Sequence, residues 1–162
     1  MPDLTEQAVA LADSDRLRAI LREICAATGM GFAAVARVTE HRWIACLVED
    51  KIAFGLDPGD ELKVNETICD EIRDSGEAVV FDDASDDIKW SRHPVPVIYG
   101  IKSYCSFPVY LDDGSFFGTL CAIDPAPRHV ADETIVAMFT RFAAEVGAVL
   151  SEALRRASEP AQ

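Results

Sequence analysis

Ile101-Lys102-Ser103-Tyr104-Cys105-Ser106-Phe107-Pro108-Val109-Tyr110-Leu111 and Phe116-Phe117-Gly118-Thr119-Leu120-Cys121-Ala122-Ile123, joined by Asp112-Asp113-Gly114-Ser115, decide the fold of this chain. Both runs have strand length, and the Asp-Gly linker has the chemistry of a tight hairpin. The second run is apolar almost without interruption, which predicts a strand covered on both faces. The centre of the molecule is therefore expected to be a sheet with a layer on each side.

Working outward, Leu17, Ile20, Leu21, Ile24, Cys25 and Thr28 recur at helical spacing, with Asp13 or Ser14 as N-cap and Gly29 as terminator. Residues 1–14 form a helical extension ahead of it. Phe32 to Val38 and Trp43 to Val48 read as two strands around the polar turn Thr39 to Arg42. Gly55 to Asp60 is a loop, Asn65 or Thr67 caps a short helix to Arg73, and Ala78 to Phe81 is a further strand. Ile135, Met138, Phe139, Phe142, Val146, Val149, Leu150 and Ala153 mark a long C-terminal helix that fades into a flexible charged tail over 155–162. The order predicts an α+β domain over 15–154: one antiparallel sheet of about five or six strands, N- and C-terminal helices on one face, short helices and loops over the other. A small-molecule cavity belongs on the second face.

A chain of 162 residues fits one domain and buries a core without disulfide or metal staples. With 28 acidic against 15 basic residues, a net charge of −13 repels a phosphate backbone, so the expectation is no nucleic-acid partner. The five cysteines form no CxxC pair and read as reduced thiols. The N-terminus lacks the pattern of a secretory signal and no unbroken apolar window has the length of a membrane span, so the expected location is the cytoplasm.

Gly118-Thr119-Leu120-Cys121-Ala122-Ile123-Asp124, preceded by Ser106-Phe107-Pro108-Val109 and the Asp113-Gly114 turn, resembles the signature hairpin of GAF domains. Thr67-Ile68-Cys69-Asp70-Glu71-Ile72, Val79-Val80-Phe81-Asp82, His93-Pro94 and Tyr99-Gly100 extend the likeness over roughly Leu17 to Leu154, towards the GAF domains at the front of bacterial sensor histidine kinases. The resemblance implies a PAS-like sheet with a pocket between sheet and loop layer. In that family such pockets serve cyclic nucleotides, haem, bilins, amino acids or oxyanions, which leaves the cofactor unknown here. The sequence stops after the last helix of the domain, with no phosphoacceptor or ATP-binding region. The expectation is a module acting through a partner, or a fragment of a longer protein.

The loop from Asp82 to Gly100 supplies candidate ligand contacts in Trp90, His93 and Tyr99: two aromatic walls with polar tips and a histidine able to meet an anion. On the following strand, alternation puts Lys102, Tyr104 and Ser106 on one face and Ser103, Cys105 and Phe107 on the other, and leaves open which face meets the pocket. Lys102, Tyr104 and Cys105 join the candidates, Lys102 as one of four lysines in an acidic chain. Asp82, Asp83, Asp86 and Asp87 lack the glycine and closing glutamate of a calcium loop and read as a solvated turn, so no metal site is expected.

Three functions follow. The first is a small-molecule or redox sensor of bacterial signal transduction, such as a two-component system, that pairs as a homodimer or with a histidine kinase through its terminal helices. The second is a thiol-dependent reductase of the free methionine sulfoxide type, with Cys105 or Cys121 attacking and another cysteine resolving. The third is a ligand-free interaction domain. No catalytic residue is assigned: no histidine neighbours a cysteine as in bilin attachment, and Cys69 falls in a helix while Cys105 and Cys121 fall in strands, not in the loop that carries cysteines in the reductases.

Overall fold

The computed structural model describes residues 4–63, 67–86, 90 and 100–158. Helices α1 (Leu4–Leu11) and α2 (Asp15–Thr28) lead into strands β1 (Phe32–Val38), β2 (Trp43–Asp50) and the two-residue β3 (Glu61–Leu62). Helix α3 (Cys69–Ser75), β4 (Val79–Phe81), a 3₁₀ turn at Ala84–Asp86, β5 (Ser103–Tyr110), β6 (Phe116–Asp124) and α4 (Glu133–Ser158) complete the chain. The six strands form one sheet in the order β3-β2-β1-β6-β5-β4 with every pairing antiparallel.

Local chemistry fixes most boundaries. The Ser14 hydroxyl accepts from the Leu17 amide at the start of α2, and Gly29 ends it at φ 77°, a left-handed conformation that favours glycine. In the sheet, β1 and β6 lie in the middle, which explains their near-continuous apolarity. Packing there is close: a Cβ on Gly118 of β6 would fall 1.8 Å from the Ala36 carbonyl oxygen of β1.

Two cores result. Beneath α1, α2 and α4, residues such as Leu17, Val35, Cys105, Phe107, Leu120 and Phe139 form the larger. On the opposite face, Phe32, Ile68, Ile72, Phe81, Tyr104 and Cys121 gather under α3 and the loops. Helices on one face and short segments over the other is the expected layering.

Helix α4 departs from expectation twice. It continues to Ser158 instead of fading at Arg155, because Arg155 reaches both Asp112 (2.9 Å) and Glu152 (2.7 Å), and basic residues suit the last turn of a helix. It is also, by length and composition, long and apolar enough to cross a membrane over Glu133–Ala157, a length the sequence reading did not credit to any window. In this fold its apolar side, Phe139, Phe142, Val146 and Leu150, is buried against the sheet as a core helix. Where α4 crosses β5, Gly147 admits the chain: a Cβ there would sit 2.2 Å from the Tyr110 carbonyl oxygen.

Asp124 closes the sheet end. Its buried carboxylate accepts from the amides of Gly31 (2.9 Å) and Ala126 (2.9 Å) and pairs with Arg128 (3.4 Å). Asp124→Ala strands two amides, one of them buried, and is expected to lower stability by about 2–4 kcal/mol in urea unfolding.

Candidate functional site

The loop-face core contains a small cavity of about 40 Å³, walled by Trp43, Tyr104 and Cys121 from the sheet side and by Phe54, Leu56, Ile68 and Cys69 from the cover. The residues that close it, Phe54, Leu56, Leu62, Ile101 and Ile123, also line an outer cleft of about 480 Å³ that reaches Gly100 and Pro125. Chamber and vestibule thus share an apolar wall. Part of that wall is a pinned loop: the Asp50 carboxylate accepts from the amides of Ile52, Phe54 and Gly55 at 3.0–3.1 Å, Phe54 rests on Phe32, and Ala53 takes a left-handed φ of 55°. A groove of about 710 Å³ between α1 and β2 is larger, but its rim is charged side chains such as Glu6, Arg18 and Arg22 and no buried polar cluster faces it.

The floor of the chamber is polar. Antiparallel register sets Ser106 opposite Cys121, and alternation puts Tyr104 and Thr119 on the same face. Cys69, the first residue of α3, lies over this patch. Its sulfur is 3.1 Å from the Thr119 hydroxyl and 3.7 Å from those of Tyr104 and Ser106. Cys121 lies against it, 3.7 Å from the Ala34 carbonyl oxygen. The buried indole N–H of Trp43 also faces the sulfur without meeting an acceptor in hydrogen-bond geometry.

These donors set the electrostatics. Hydrogen bonding from Cys121 favours a Cys69 thiolate, burial opposes it, and Thr119, Trp43 and Tyr104 tip the balance, holding the Cys69 thiol below the ordinary thiol value. Cys121, which keeps the shared proton, is held well above the ordinary thiol value. The other thiols behave as buried hydrophobes: burial pushes Cys25 up to about 11 and Cys46 and Cys105 up to about 12. One thiolate is accordingly expected to appear in the ultraviolet spectrum well below pH 9. A pH titration of thiolate absorbance, with Cys69→Ser losing that transition, checks it.

Of the six expected ligand contacts, the four among the described residues scatter. Tyr104 is in the chamber wall, with Phe81 stacked on its ring at 5.4 Å. Trp90 is buried and stacks on the same Phe81 at 5.2 Å, which makes it an anchor of the cover. Lys102 points away, its ammonium donating to the Ser85 hydroxyl at 2.6 Å. Cys105 belongs to the helix-side core, because it alternates with Tyr104. His93 and Tyr99 lie outside the described residues, as does Asp87. Of the remaining acidic turn, Asp82 accepts from the amides of Val130 and Ala131 at 2.7 Å and so ties the end of β4 to the approach of α4. Among the described residues no group of three or more histidine, cysteine or acidic side chains is placed to hold a metal ion.

Cys69, Ser106, Thr119 and Trp43 were not singled out by sequence. The available signal was the alternation of Tyr104-x-Ser106 and Thr119-x-Cys121, a polar pair of stripes inside strands that are otherwise buried and apolar.

An antiparallel sheet with terminal helices on one face and a covered chamber on the other defines a PAS-like α+β domain. The model of the GAF domain family matches residues 14–150, and the chain belongs to the GAF family. Similar solved structures include the GAF domain of an Acinetobacter phosphoenolpyruvate-protein phosphotransferase, at 16% identity and TM-score 0.67 over 98% of this chain and 100% of that one. The blue-light-absorbing form of the PixJ GAF domain from Thermosynechococcus elongatus matches at 12% identity and TM-score 0.66, over 97% and 94%. A type II free methionine-R-sulfoxide reductase from Thermoplasma acidophilum matches at 13% identity and TM-score 0.64, over 93% and 96%. At these identities the likeness shows the fold. No curated protein matches the chain.

Proposed function

We propose that this domain is a sensory module, not an enzyme, which receives a small molecule or a redox signal in the loop-face chamber and passes it on through its terminal helices. The observation that carries this reading is the two-sidedness of β5. Tyr104 faces the chamber, and Phe107, three residues on, stacks face to face with Phe139 of α4 at 5.1 Å and 13°. The bond from Asp82 to the segment before α4 gives a second link from the chamber side. A ligand that widens the chamber moves β5 or the cover, and α4 is biased in turn.

The recipient in this reading is a second copy of the chain or a signalling protein such as a histidine kinase, met in the bacterial cytoplasm. Support comes from the rim of α4, where Ile135, Met138, Val149 and Ala153 are only partly buried. Native mass spectrometry with an absorption spectrum of protein purified from bacterial cytosol tests the reading. A retained small molecule that is lost in Leu56→Trp, which fills the chamber from its wall, supports it. A ligand retained in that variant places the binding site elsewhere and overturns the assignment of the chamber.

The reductase alternative draws on a different observation, the contact between Cys69 and Cys121. In it the attacking thiol is Cys69, in place of the Cys105 or Cys121 expected from sequence.

A further inference from the structure

We propose that Cys69 and Cys121 are an oxidisable dithiol in the loop-face chamber, and that hydrogen peroxide is its oxidant. The inference rests on the chamber being the receiving site, and gives it a reaction.

Geometry separates this pair from the other cysteines. Cys25, Cys46 and Cys105 are in the helix-side core among apolar side chains. Cys69 and Cys121 instead share a cavity, with three hydroxyls within 3.1–3.7 Å of the Cys69 sulfur. Those hydroxyls and the unmet Trp43 indole N–H are hydrogen-bond donors, the groups needed to stabilise a sulfur anion and the negative charge that develops on a leaving oxygen. The lowered titration of Cys69 agrees with this arrangement.

The chamber admits a small polar oxidant. At about 40 Å³ the chamber has room for a molecule as small as hydrogen peroxide. Hydrogen peroxide also finds there the donors and acceptors that an apolar gas cannot use.

The reaction balances in two steps. The Cys69 sulfur attacks one peroxide oxygen; an S–O bond forms, the O–O bond breaks, and the departing hydroxide leaves as water with the proton that Cys69 gives up. The Cys121 sulfur then attacks the Cys69 sulfenic acid; an S–S bond forms, the S–O bond breaks, and a second water leaves with the Cys121 proton. Two thiols are oxidised by two electrons and one peroxide is reduced to two waters. Because Cys121 is on the central strand β6 and Cys69 begins α3, the new bond draws the cover onto the sheet.

The full chain, treated with hydrogen peroxide, alkylated under denaturing conditions and mapped by peptide mass spectrometry, tests this. The expected product is one disulfide joining the peptides of Cys69 and Cys121, reversed by dithiothreitol. It should form roughly tenfold faster than any modification of Cys25, Cys46 or Cys105. Cys121→Ser should trap a dimedone-reactive sulfenic acid at Cys69. Cys69 and Cys121 remaining fully alkylated in the wild-type protein, or a disulfide that uses another cysteine, overturns the proposal without requiring any variant to fold. Hydrogen exchange of α4 in the same samples separates the two readings: a disulfide that leaves α4 unchanged keeps the chemistry and counts against signalling through that helix. Unreacted thiols remove the chemistry and leave ligand sensing standing.

Discussion

Gly118→Ala is expected to cost about 4 kcal/mol or more, one of the two largest effects of any single substitution discussed for this domain. Gly118 pairs with Arg37 of β1 on one side and Val109 of β5 on the other, so its backbone is held from both directions. The added methyl would lie 1.8 Å from the Ala36 carbonyl oxygen, 2.8 Å from its carbon and 2.9 Å from the Val38 nitrogen. All three are backbone atoms in a ladder and none can swing aside as a side chain would, so relief requires β1 and β6 to part. Since a domain of this size has about 5–15 kcal/mol in total, the variant should lose a large share of its folded population. Gly114→Ala is the contrast. Gly114 has a left-handed φ of 86° and open space around its Cβ direction, and there the expected cost is only about 1–2 kcal/mol from backbone strain. Denaturant midpoints of the two variants, measured together, distinguish crowding from conformational preference; equal losses would refute the account of Gly118.

The same crowding explains why much of the fold was legible and part of the site was not. Helix α2 could be read to Gly29 at its end and to Asp13 or Ser14 at its start, of which Ser14 is the cap, because capping is a local interaction. The β5–β6 hairpin was legible from its turn and its two apolar runs. Strand β3 was not: Glu61 and Leu62 become a strand only by pairing with Ile44 and Trp43, and two residues carry no periodicity. The face of β5 that meets the chamber was equally hidden. Residues 103–107 are buried on both sides, so hydropathy offers no contrast between Tyr104 and Cys105, and Cys105 was carried as a ligand contact although it packs beneath the helices. Cys69 was set aside because it falls in a helix. What makes it distinctive is the sheet order, which places α3 over the Thr119 and Cys121 side of β6, a long-range fact with no local trace.

The strand that hid its orientation is also the element that joins the two layers, which leads to the second large effect. Phe139→Ala is expected to destabilise the domain by about 3–5 kcal/mol, the range for deleting a fully buried aromatic side chain. Phe139 has no exposed surface and its ring stacks on Phe107. Gly147 fixes how closely α4 approaches the Tyr110 carbonyl one strand-end away, so the helix cannot settle inward to fill the gap. Phe139→Leu keeps most of the volume and should cost roughly 1.5 kcal/mol or less, leaving a folded protein in which the stack alone is gone. Urea unfolding of both variants checks the order. The milder variant then isolates the link between layers: if the chamber speaks to α4 through β5, an occupant of the chamber should protect α4 amides from hydrogen exchange in the wild-type protein and much less in Phe139→Leu. Equal protection in both would shift the coupling to a second connection among the described residues, from Asp82 to the Val130 and Ala131 amides just before α4.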